Sequence, residues 1–158
     1  MVLRLALSDD KPTFQSLSID LGMSASEVHG SVERAVQSNL VSKETRRVVR
    51  AHLLEFLLHG VRYVFPPVFS TLTRGVPTAH AVAPLARHFG KEELPPVWPH
   101  PNGTVRGQGL EPLYRSAPQA ALNNTALHEW LALVDALRSG RAREREIAAR
   151  EVKKRLEN

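Results

Sequence analysis

The chain has 158 residues, of which 42% are hydrophobic and 23% charged, with a formal net charge of +5. That size suits one compact domain, or a small domain with an elaboration, and it supports a core that needs no covalent staple. With no cysteine there is no disulfide, thiolate zinc site or cysteine nucleophile, which fits a reducing cytosol, so a cytoplasmic location is expected.

The positive excess favours polyanionic partners. It is uneven: charges nearly balance over residues 1–50, whereas Arg138, Arg141, Arg143, Arg145, Arg150, Lys153, Lys154 and Arg155 crowd the last part. No apolar run approaches the ~20 residues needed to span a bilayer. Met1 to Leu7 is apolar but short, and it meets Asp9 and Asp10 without a small-residue cleavage site. It reads as a first helix rather than a signal peptide, and no membrane partner is expected.

In chain order, a short helix over residues 2–7 is broken by Asp9-Asp10-Lys11-Pro12. Thr13 can cap a second helix whose Phe14, Leu17 and Leu21 share one face. Gly22 can end it at positive φ. Ser24 then caps a third helix, with Glu27 three positions on as a capping box. Val28, Val32, Ala35 and Val36 make its apolar stripe. Leu40-Val41 begins an extended segment, residues 42–47 turn, and Val48-Val49 returns. A helix from about Arg50 to Tyr63 is expected to bury Leu54, Leu57, Leu58 and Val61, with His52, Glu55, His59 and Arg62 opposite.

Residues 66–123 hold ten of the eleven prolines and read as irregular, with Asn102-Gly103 as a hairpin turn between Val97-Trp98 and Val105. Trp98, Leu110, Leu113 and Tyr114 argue against disorder there. The end is helical: Trp130, Leu131, Val134 and Leu137 recur at helical spacing, Ser139-Gly140 interrupts, and residues 141–156 form a basic, alternating-charge helix. Glu146–Arg150 is an i,i+4 pair there. Asp135, among apolar neighbours, is expected to pair with Arg138 or Arg141.

The helix pair 14–21 and 24–39 carries the functional expectation. A helix-turn-helix needs a small residue at the crossing (Ser18), a turn residue tolerant of positive φ (Gly22), flanking apolar side chains (Leu21, Met23), and a second helix apolar on one side only (Val28, Val32). Leu21-Gly22-Met23-Ser24-x-Ser26-Glu27-Val28-His29, followed by Val32-x-Arg34-Ala35, resembles the recognition-helix region of bacterial winged-helix regulators of the MarR sort. The resemblance covers about Met1 to Val49. It departs from the pattern in Ser18, where alanine is commoner, and in the short turn 42–47.

The resemblance implies that helix 24–39 enters the major groove. Ser24, Ser26, Glu27, Gly30, Arg34 and Gln37 would form its polar face, Arg34 reading guanine or holding phosphate. Lys43, Arg46 and Arg47 would be the wing and grip phosphates. Thr13 and Gln15, at the preceding helix start, would meet phosphate with help from the helix dipole. The expected architecture is α+β and mainly helical: a winged helix over 1–63, a proline-rich segment over 64–123, and C-terminal helices over 124–158. The Trp130/Leu131/Val134/Leu137 stripe is read as core or as a dimer interface.

Competing chemistry is thin. His52 and His59 lie two turns apart, about 10.5 Å along a helix axis, too far to share a zinc, and His80, His88 and His100 are scattered. Residues 74–80 read as a polar loop able to meet a ligand or partner, or to pack across a surface. There is no GxSxG, P-loop or paired-carboxylate setting. Neither a cofactor nor a metal is expected, and the chain is not read as an enzyme. The first expectation is a dimeric regulator binding double-stranded DNA. The alternative is an antitoxin-like module whose residues 66–123 clasp a partner protein.

Overall fold

The computed structural model describes residues 1–7, 11–90 and 92–157. Asp9 and Asp10, expected as a helix breaker, lie outside them. The chain is a mixed α+β fold of helices and a small closed three-stranded sheet.

The first elements follow their local signals. Helix α1 spans Val2–Leu5, shorter than the 2–7 expected. Helix α2 spans Phe14–Leu21: the Thr13 hydroxyl accepts the Ser16 N–H at 3.0 Å, and Gly22 closes the helix at φ 60°. Helix α3 spans Ala25–Gln37 with both halves of its capping box made. The Ser24 hydroxyl accepts from the Glu27 N–H at 3.2 Å, and the Glu27 carboxylate accepts from the Ser24 N–H at 2.8 Å. The Ser18 hydroxyl donates across the turn to the Met23 carbonyl. Leu17, Val28 and Val32 bury together. After α3, Val41 and Val48 form one isolated antiparallel bridge around the turn 42–47.

Helix α4 (Arg50–Glu55) continues through a π-turn (Phe56–Gly60) into α5 (Val61–Val64). Its buried side chains are Leu53, Leu57 and Val61, with Leu54 and Leu58 only half-buried. Leu57 and Val61 are thus buried as expected, whereas Leu53 takes the place of Leu54 and Leu58 is only half-buried. The physical reason is the π-turn: an ideal α-helix drifts about 40° over four residues, and the wider turn keeps side chains four apart on one side.

The proline-rich stretch is more regular than its composition suggests. Strand β1 (Phe69–Pro77) pairs antiparallel with both β2 (Pro96–Pro99) and β3 (Val105–Leu110). Strands β2 and β3 pair parallel, Pro96 with Gln108 and Val97 with Gly109, closing the sheet on itself. The expected hairpin at Asn102-Gly103 is thus corrected: the chain turns there, but its two flanking strands run the same way. So small a ring leaves no room for side chains where backbones cross. A Cβ on Gly75 would overlap the Trp98 carbonyl, and one on Gly107 the Pro95 carbonyl. Residues 74–77, expected in a loop, end β1; Thr78 is fully buried and Ala79–Ala81 form a 3₁₀ turn. His80 lies there between Glu92 at 3.0 Å and Glu144 at 3.7 Å.

Helices α6 (Ala117–Asn123), α7 (Thr125–Ser139) and α8 (Ala142–Glu157) complete the chain. Every residue of α7 from Trp130 to Arg138 is buried, as a helix in the centre of a core must be. Trp130, Leu131, Val134 and Leu137 therefore pack within their own chain, and that stripe is not a dimer interface. Asp135 pairs with Arg138 at 2.7 Å. Helix α8 buries Ile147, Ala148, Val152 and Leu156 and turns its charges outward, with Glu146 and Arg150 4.0 Å apart.

Candidate nucleic-acid interface

Helix α3 buries one side and exposes the other. Val28, Val32 and Ala35 are buried, and at 100° per residue Ser26, Gly30, Glu33 and Gln37 lie opposite them. Ser24, Ser26, Glu33, Arg34 and Gln37 are exposed, and Gly30 is half-buried. Arg34 sits at the edge of this face, its guanidinium donating to the Ser31 hydroxyl at 3.1 Å. Glu33, which the sequence reading did not include, puts a carboxylate on the same face, 3.6 Å from His29. A carboxylate in a major groove can accept from cytosine N4 but repels phosphate.

The turn 42–47 is anchored to α2. Arg46, at φ 56°, places its guanidinium 4.4 Å from the centroid of the Phe14 ring, a cation–π contact. This brings Arg46 to the start of α2, where Thr13 and Gln15 are exposed. Lys43 and Arg47 are exposed on the same turn. Thr13, Gln15, Arg46 and its neighbours thus form one group, and Ser26, Gly30, Arg34 and Gln37 a second on α3.

Glu27 is placed differently. Besides capping α3, its carboxylate accepts from the Tyr114 hydroxyl and from Arg115 at 2.7 Å. The Ser116 hydroxyl donates to the Leu21 carbonyl at 2.5 Å. Residues 114–116 therefore latch onto the α2–α3 turn from 87 positions away in sequence. Sequence reasoning missed Tyr114 and Arg115, because no local pattern reports a contact at that separation. Arg115 is 77% exposed beside the start of α3 and adds a cation to this end of the face.

The Tyr114 hydrogen bond, then the Ser24 backbone and side-chain bonds, hold the Glu27 carboxyl down to about 2 from an ordinary 4.5. The same carboxylate pushes the Tyr114 phenol up. A carboxyl depressed in the folded state contributes stability that is present above its unfolded value and lost as pH falls through its folded value. The stability gap between wild type and Glu27→Gln should therefore be constant near neutral pH and narrow between about 4.5 and about 2. Urea unfolding at several pH values measures it, and a gap unchanged at pH 2 would contradict the latch.

Among the described residues, no group of three or more His, Asp or Glu side chains converges as a metal site, and no helix is long and apolar enough to cross a membrane. No family model, characterised protein or solved structure matches the chain.

Proposed function

We propose that the chain is a winged-helix regulator that binds double-stranded DNA as a dimer, with α3 in the major groove and the turn 42–47 against the phosphate backbone. The observation that carries this reading is the exposed polar face of α3, with the basic turn 42–47 anchored on Phe14 at the start of α2. Phosphate contacts from Lys43, Arg46 and Arg47 would supply affinity, and Ser26, Arg34 and Gln37 would read base edges. Gly30 lets the helix backbone approach closely. Glu27 acts by fixing the start of α3 rather than by touching DNA, because its oxygens are engaged by Ser24, Tyr114 and Arg115.

Selection of genomic fragments by the purified protein, followed by gel shift, tests the proposal. A two-fold dimer should enrich sites with half-sites about one helical turn apart.

A second reading, an antitoxin-like module that holds a partner protein, is favoured by one feature. Tyr63, Val64, Phe65, Val68, Phe69 and Leu72 are all exposed, from 43% to 75%, and such runs mark interaction sites. A neighbouring gene's product co-purifying at fixed stoichiometry, with no fragment enriched, would favour it.

A further inference from the structure

A cavity of about 850 Å3 opens between α3, the α4–α5 helix and the C-terminal helices. That volume lies within the roughly 300–1,000 Å3 of small-molecule sites. Its inner wall is aliphatic, with Leu53, Leu57, Ala117, Leu131 and Val134 among its lining. The π-turn helps to shape it: a Cβ on Gly60 would stand 2.9 Å from the Phe56 ring, which forms part of the wall.

Polar side chains also line it, from α3, α4 and residues 114–116. Ser31 and Arg34 of α3 and its C-cap Ser38 line the cavity, as do His52 and Glu55 of α4. Arg34 donates only to Ser31, and among the described residues it meets no carboxylate. His52 uses Nδ1 on the Asn39 carbonyl at 2.8 Å. Among the side chains on the lining, Arg34 and His52 are basic and Glu55 is the one carboxylate.

We propose that this cavity binds an aliphatic monocarboxylate, with the chain in the apolar wall and the carboxylate on Arg34. Arginine matches a carboxylate with two parallel N–H donors, and an apolar wall rewards each added methylene. Arg34 is also offered to DNA in the reading above, so occupancy would withdraw that cation from DNA. This consequence rests on that reading, whereas occupancy of the cavity does not.

Calorimetric titration of the full chain with octanoate, nonanoate, decanoate, decanol and decylamine, below micelle-forming concentrations and without DNA, tests the proposal. Each methylene should tighten carboxylate binding about four-fold, and decanoate should bind more tightly than decanol, and decanol more tightly than decylamine. Arg34→Gln should weaken decanoate on the order of tenfold and leave decanol unchanged. Ala117→Phe, which fills the wall, should abolish binding of both; should it not fold, Arg34→Gln, at an exposed position, still decides. No saturable binding, an amine preferred over the acid, or equal effects of Arg34→Gln on acid and alcohol would overturn the proposal. Decanoate binding by a protein that shifts no DNA would keep the cavity assignment and remove the DNA reading. A DNA shift with no decanoate binding would do the reverse.

Discussion

Replacing Asp135 with alanine is expected to cost about 3–5 kcal/mol, a large share of the stability of an ordinary domain. The carboxylate is 1% exposed and accepts from Thr78 at 2.7 Å, the Trp98 indole at 2.6 Å and Arg138 at 2.7 Å. Arg138 also donates to the Phe65 carbonyl at 2.8 Å. One acidic side chain therefore ties α7 to the sheet and to the segment that follows α5. Removing it orphans three buried donors and leaves a guanidinium without its counter-charge.

Arg138→Met tests the same network from the other side. Burial pushes the Asp135 carboxyl above its ordinary 3.8, and Arg138 opposes that rise. Without Arg138 the carboxyl should rise further. A carboxyl raised in the folded state contributes stability that is present below its unfolded value and lost as pH increases. The deficit of Arg138→Met relative to wild type should therefore be largest at pH 8 and shrink toward pH 4 in urea titrations. An equal deficit at both would show that Asp135 does not respond to Arg138.

The largest functional effect is expected from Arg46→Ala with Arg47→Ala. Both side chains are exposed, so the fold should persist while duplex affinity falls on the order of tenfold or more, and the salt dependence loses about two phosphate contacts. Arg34→Ala should cost about 1–3 kcal/mol and relax preference at one base position. Phe14→Leu isolates positioning: it removes the ring under Arg46 but keeps an apolar side chain, so it should weaken binding less than loss of the arginine. Affinity unchanged in Arg46→Ala/Arg47→Ala would remove the turn from the interface.

What could be read from the residues was local. Thr13, Gly22, Ser24 and Glu27 announce their caps because capping acts within four residues, and each cap forms as expected. Of the two arginines open to Asp135 in the sequence, Arg138, three residues on and buried, is the one that pairs with it. The sheet was hidden because Pro96, Pro99, Gly107 and Gly109 erase the alternation that marks a strand, and its closure depends on pairings far apart in sequence. Leu53 was missed because the π-turn departs from a 3.6-residue period. On the candidate interface, the α3 face and the basic turn were legible, whereas Tyr114, Arg115 and the cavity beside Arg34 arise from contacts between distant segments.

A titration of a selected duplex with wild-type protein across 50–200 mM salt probes DNA recognition most directly. Saturable binding whose log affinity falls linearly with log salt, and which weakens and flattens in Arg46→Ala/Arg47→Ala, is the predicted result. Failure of any duplex to bind at 50 mM salt, with the protein folded, would contradict it.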